Sequence, residues 1–90
     1  MITVHKYSVP FDDNFSINMP TGAEILTFQL QGGGAYIWCK VDTEATPVAR
    51  NFRLAGTGHP LPIDKDIKHI GTVQLNFLVL HLFEISQTVT

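Results

Sequence analysis

The chain reads as an all-β protein, a compact antiparallel sandwich or partly closed barrel of six to seven short strands. Three observations point there. Helical periodicity is nearly absent. Glu24–Gln31 and Ala35–Asp42 alternate from one residue to the next, which is the period-two pattern of a strand with two different faces. Gly, Pro, Asn and Asp also punctuate the apolar segments at short intervals, which favours strands joined by turns.

Each element follows from its own residues. Ile2–Val9 is rich in β-formers and stops at Pro10, and Phe15–Met19 is a short alternating strand stopped by Pro20. In Glu24–Gln31, Leu26, Phe28 and Leu30 share one face and Thr27, Gln29 and Gln31 the other. Gly32-Gly33-Gly34 then predicts a hairpin into Ala35–Asp42. There Tyr36, Trp38 and Lys40 share one face, and Ile37, Cys39 and Val41 the other. Thr43–Val48 is a polar loop, and Arg50–Ala55 is a strand with Phe52 and Leu54 inward. Asp64–Lys68 has the composition of one helical turn, with Pro60 and Pro62 limiting anything longer. Ile70–Leu75 and Leu78–Ile85 form a hairpin about Asn76-Phe77, and Ser86–Thr90 is a frayed tail. Leu78–Phe83 is apolar on both faces except at His81, as expected of a strand central to a two-layer core or packed on a partner chain.

Ninety residues make a single β domain, 1–90. The hydrophobic content of 44%, with six Phe, two Tyr and one Trp, is enough for one small core. Charged residues make up 16%, against roughly a quarter in ordinary soluble domains. So few charges point to apolar surface covered by self-association, hence a homo-oligomer. The net charge of −2, with no run of Lys or Arg, argues against binding long nucleic acid. One cysteine permits no intrachain disulfide and fits a reducing, cytoplasmic compartment. No secretory leader and no apolar stretch of membrane-spanning length is visible.

The segment Arg53-Leu54-Ala55-Gly56-Thr57-Gly58-His59-Pro60 carries the strongest functional signal. Backbone N–H groups in a glycine turn can form an anion-binding concavity. Thr57 adds a hydroxyl, His59 an imidazole, and Arg53 is the nearest cation. The competing reading is a turn that needs positive φ, with Pro60 fixing its exit. The segment is not a P-loop, because the GxxxxGK[ST] spacing and a following helix are missing. Tyr36 and Trp38 offer a stacking platform for a base, with Lys40 or Arg53 for its phosphate. The loop therefore binds only as one wall of a composite pocket, shared between protomers.

Other chemistry finds little support. The four histidines (His5, His59, His69 and His81) lack zinc-motif spacing, so no metal site and no cofactor are expected. Asp12-Asp13 and Asp64-Lys65-Asp66 sit at turns, where Asp serves backbone hydrogen bonding. No nucleophile-elbow pattern is present, and the chain is not expected to be an enzyme.

The segments Gly56-Thr57-Gly58-His59-Pro60, Gly71-Thr72-Val73-Gln74-Leu75 and Leu80-His81-Leu82-Phe83-Glu84, with Met19-Pro20-Thr21-Gly22-Ala23 and Tyr36-Ile37-Trp38-Cys39, resemble a family of small bacteriophage and prophage proteins of unknown function. The resemblance covers nearly the whole chain. It departs at the last turn, where Gly-Gly-like residues are expected and Asn76-Phe77 stands. It brings no catalytic residues and implies a phage protein in the host cytoplasm. By analogy with small phage proteins that counter bacterial defence, it implies a sponge sequestering an anionic, nucleotide-derived signal. Its ligand-binding residues would be Arg53, Gly56, Thr57, Gly58, His59, Trp38 and Tyr36. The alternative is a structural or protein-interaction module, either a virion component or a binder of a host protein.

Overall fold

The computed structural model describes residues 1–86, which form seven strands. These are β1 (Ile2–Val9), β2 (Asn14–Pro20), β3 (Glu24–Gln31), β4 (Gly34–Asp42), β5 (Pro47–Gly56), β6 (Asp66–Leu75) and β7 (Leu78–Ser86). They make a three-stranded sheet in the order β1-β4-β3 and a four-stranded sheet in the order β2-β5-β7-β6, and every pairing is antiparallel. The two sheets stack without closing into a barrel, so the sandwich is the form adopted.

Alternation builds the core. Ile37, Cys39 and Val41 of β4 and Phe52, Leu54 and Leu82 of the facing sheet are buried together with Met19 and Phe28. Phe15 stacks on Phe52 with ring centroids 5.4 Å apart. The turn between β3 and β4 places Gly32 at φ 57° and Gly33 at φ 85°, the two positive values that a tight hairpin matching strand twist requires. β7 is a central strand between β5 and β6; Leu82 is buried on its inner face, while Val79, His81, Phe83 and Ile85 stand on the outer face of the sheet.

Four expectations are corrected. A register shift between Ile25 and Thr27 puts a bulge in β3, so Leu26 turns out to solvent while Ile25 packs on the core. Asp64–Lys68 forms no helical turn: residues 63–65 bend, and Asp66 and Ile67 pair with Ser86 and Ile85 instead. The ladder with β7 satisfies backbone groups that a single isolated turn would leave open. The polar loop is shorter than expected, because β5 begins at Pro47, opposite Pro20. Ser86 closes β7, and the rest of the expected frayed tail lies outside the described residues.

Two outcomes follow. Ile25→Ala should cost about 2 kcal/mol in urea unfolding and Leu26→Ala less than about 0.5 kcal/mol, the reverse of what unbroken alternation would give. Burial is the main cause that pushes the Cys39 thiol up to about 11, with Arg50 pulling it down and Glu84 pushing it up. The unfolded thiol ionises first, near about 8.5. The stability carried by the buried neutral thiol is therefore complete below that pH and is lost as pH rises toward about 11. Urea titrations of wild type and Cys39→Ala should show the stability gap narrowing over that window.

Candidate functional site

The glycine loop is a closed turn. The His59 N–H donates to the Gly56 carbonyl at 3.0 Å. Gly58 takes φ 90°, the conformation a turn of this kind demands at its third residue. The Thr57 N–H donates to the Val79 carbonyl at 3.3 Å, carrying the β5–β7 ladder one step past the strand. The Gly56 N–H donates to Nδ1 of His59 at 3.2 Å. A Cβ on Gly56 would stand 3.0 Å from Cε1 of that ring, so Gly56 is the residue that lets His59 fold back. Accepting at Nδ1 requires a neutral imidazole with its proton on Nε2.

Three of the four loop N–H groups are thus already used. Among the described residues the Gly58 N–H has no protein acceptor. One further donor remains at the loop, the Nε2–H of His59, and the Thr57 hydroxyl is a second when it accepts from His81 rather than donating to it. Thr57, Gly58 and His59 line one cleft of about 160 Å³ with Leu61, His81 and Phe83.

Arg53 is not a free cation. It is only 9% exposed. Its Nη2 donates to the Pro60 carbonyl at 2.8 Å and its Nη1 to the Asp13 carbonyl at 3.3 Å, with the Asp13 carboxylate 3.5 Å away. It braces the loop from beneath and does not face the cleft's contents as an open charge.

A polar track runs from the loop across the outer face of the four-stranded sheet. Thr57 Oγ1 lies 2.8 Å from His81 Nε2, His81 Nδ1 lies 3.0 Å from Thr72 Oγ1, and Thr72 Oγ1 lies 3.0 Å from His69 Nε2. Thr72 stands opposite His81 in the β6–β7 ladder, and His69 reaches the same face through a register shift between His69 and Gly71. The His69 ring also meets Phe83, centroid to centroid at 5.3 Å. Pairing places Asn51, Arg53 and Ala55, then Val79, His81, Phe83 and Ile85, then Ile67, His69, Thr72 and Gln74 on this face. With Asn14, Ser16 and Asn18 of β2, these strand positions include no carboxylate among the described residues.

Tyr36 and Trp38 are elsewhere. They lie 6.0 Å apart on the outer face of the three-stranded sheet, with the Lys6 ammonium 4.6 Å from the Tyr36 ring centre. Their neighbours Ile37 and Cys39 point into the core, so both layers of the sandwich separate this platform from the glycine loop. Within one chain the structure brings together Arg53, Gly56, Thr57, Gly58 and His59, and leaves Tyr36 and Trp38 apart. Sequence reasoning missed His69, Thr72 and Phe83 and noticed His81 only as a polar exception. The available signal was the hairpin register, which sets Thr72 opposite His81.

The loop also borders a second hollow, a groove of about 440 Å³ at the end of the sandwich. Phe11, Leu54, Leu75, Phe77 and Leu80 line it together with Asp12, Asp13 and His59. Asn76 takes φ 55° at the hairpin tip, and the next residue, Phe77, is fully exposed.

Gly56→Ala should expel the His59 ring from its seat at a cost of about 1–2 kcal/mol, and Gly58→Ala should cost a similar amount through backbone strain at positive φ. Only the first should change the 15N shift of His59 Nδ1, which NMR can read.

No curated protein and no solved structure matches the chain. A family model matches residues 1–89, and the chain belongs to the family described as Domain of unknown function (DUF7352).

Proposed function

We propose that this protein is a non-catalytic binder of a small anionic ligand, held at the glycine loop and along the polar track. One observation carries the reading. After the loop's internal bonds are made, the Gly58 N–H and the His59 Nε2–H remain as donors beside one cleft, and the Thr57 hydroxyl joins them when His81 Nε2–H donates to it. Oxyanions are bound by such neutral donors as well as by cations. The strand positions on this outer face, which carry no carboxylate among the described residues, lower the repulsion that a chain of net charge −2 would otherwise impose. The tilted His69–Phe83 pair takes over the stacking role first assigned to Tyr36 and Trp38. With the resemblance to phage proteins, the ligand class is a nucleotide-derived signal, and the role is sequestration in the host cytoplasm.

The non-catalytic part of the reading is supported by the same geometry. Thr57 and His81 sit as a nucleophile and a base do, but the group behind His81 is the Thr72 hydroxyl. A neutral hydroxyl stabilises the imidazolium of a working triad far less than a carboxylate does.

A second reading has its own observation. Phe77 is fully exposed at the hairpin tip beside Leu78 and Phe11, which are more than half exposed, and all three line the apolar end groove. A virion or host protein docked there would cover them.

Calorimetric titration with linear and cyclic mono- and dinucleotides separates the two. Binding is expected for at least one phosphate-bearing member, weakened roughly tenfold or more by Thr57→Val or His81→Ala and untouched by Phe77→Ser. Silence across the panel, or loss with Phe77→Ser alone, would overturn the ligand reading.

A further inference from the structure

We infer that the free edge of β1 pairs antiparallel with β1 of a second copy, joining two three-stranded sheets into one continuous six-stranded sheet. The inference does not depend on the ligand reading, because that site lies on the other sheet.

An unpaired strand edge invites pairing unless something blunts it. The sandwich has four edges, β1 and β3 on one sheet and β2 and β6 on the other. β3 is bulged at Ile25–Thr27 and β6 at His69–Gly71. β2 carries Asn14 and Asn18 and ends in Pro20. Among the described residues β1 alone has none of these devices. It pairs with β4 residue for residue from Ile2 to Val9, without bulge, proline or glycine.

An edge lysine is another common guard, and here Lys6 is turned away. Its ammonium passes over the Tyr36 ring and donates to Gln31 Oε1 at 3.0 Å, on the far strand of its own sheet. The free edge is left without a charge projecting over it.

The backbone groups are available too. The Met1 carbonyl accepts from the Thr43 N–H at 2.9 Å, so odd-numbered residues of β1 bond to β4. Ile2, Val4, Lys6 and Ser8 therefore aim their N–H and C=O groups outward. Ile2 and Val4 also expose 61% and 52% of their surface on the sheet's outer face.

A second copy suits this edge. An antiparallel two-fold centred at Val4 or His5 sets even residues opposite even ones. Val4 then faces Val4 or the Lys6 stem of its partner, and no two lysines oppose one another. The strand carries no carboxylate, so it offers a charged partner strand little beyond Lys6, which is already engaged. One strand's length buries less than the roughly 1,200 Å² of a standard interface, so the dimer should dissociate on dilution.

Sedimentation velocity and native mass spectrometry of the full chain, from about 1 to about 200 µM, should show a monomer–dimer equilibrium. Val4→Pro deletes an outward N–H that β4 does not use and should weaken dimerisation about tenfold or more. Val4→Glu, at an exposed side chain, should do the same with the melting temperature unchanged, and it serves as the test if the proline variant unfolds. Phe77→Ser should leave the dimer intact. A wild type that stays monomeric throughout, or a dimer insensitive to Val4→Glu, would overturn the proposal, as would one abolished by Phe77→Ser.

Discussion

The register between the two central strands of the four-stranded sheet is pinned by one ion pair inside the sandwich. Arg50 of β5 reaches Glu84 of β7 with two bonds, Nε to Oε2 at 2.6 Å and Nη2 to Oε1 at 2.7 Å. Its remaining nitrogen, Nη1, donates to the Ala23 carbonyl, in the connection that carries the chain from the four-stranded sheet to the three-stranded one. One guanidinium thus ties two strands and the crossing between layers. Each charged side chain is about a fifth exposed, and the Glu84 hydrogen bonds raise the Arg50 guanidinium's already high basicity against the opposing effect of burial. An apolar pair could match the packing, but it would leave the Ala23 carbonyl unpartnered and the register less defined. With Phe52 set opposite Glu84, Gly56 falls opposite Leu80, and Thr57 reaches the strand that carries His81.

The fold class was legible because most strands obey simple alternation. β4 is the clearest case: Ile37, Cys39 and Val41 are buried just as their spacing requires. The errors fall where alternation breaks. Nothing about Ile25-Leu26-Thr27 announces a bulge, since bulged residues need no special composition there, and one extra residue exchanges the faces of all that precede it. The same device at His69–Gly71 brings His69 to the face of Thr72 and His81, hiding a cluster that strict period-two counting would divide. The helical turn over Asp64–Lys68 failed for a different reason, since local composition yielded to long-range pairing with β7.

The candidate site was legible as a place and not as a mechanism. The glycine loop stands out in the sequence, and its residues do gather around a cleft. What one chain of letters cannot show is how many of its donors the fold has already used. Gly56 is needed for the space of the His59 ring and Gly58 for its backbone angle. Arg53 looked like the loop's cation because it precedes it. The fold spends it on two carbonyls, since the chain that leaves the loop through Pro60 needs a donor to hold it down. Tyr36 and Trp38 could be assigned to a face of their strand, but which layer that face belongs to depends on strand order, and strand order is a long-range property.

The Thr57–His81–Thr72–His69 track gives the remaining donors a direction. Two arrangements run its bonds head to tail from one end to the other. In one, Thr57 donates to His81 Nε2, His81 Nδ1–H donates to Thr72, and Thr72 donates to His69. In the other, all three bonds reverse: His69 Nε2–H donates to Thr72, Thr72 to His81 Nδ1, and His81 Nε2–H to Thr57. Only the second frees the Thr57 hydroxyl proton for the cleft, beside the Gly58 N–H. An anion placed there therefore selects that arrangement and gains from the polarisation of each bond by the next. The switch moves protons only within hydroxyls and between ring nitrogens, and it adds no net charge. A face whose strand positions carry no carboxylate and no free arginine among the described residues can in this way present a donor cluster to an oxyanion while the protein as a whole stays acidic.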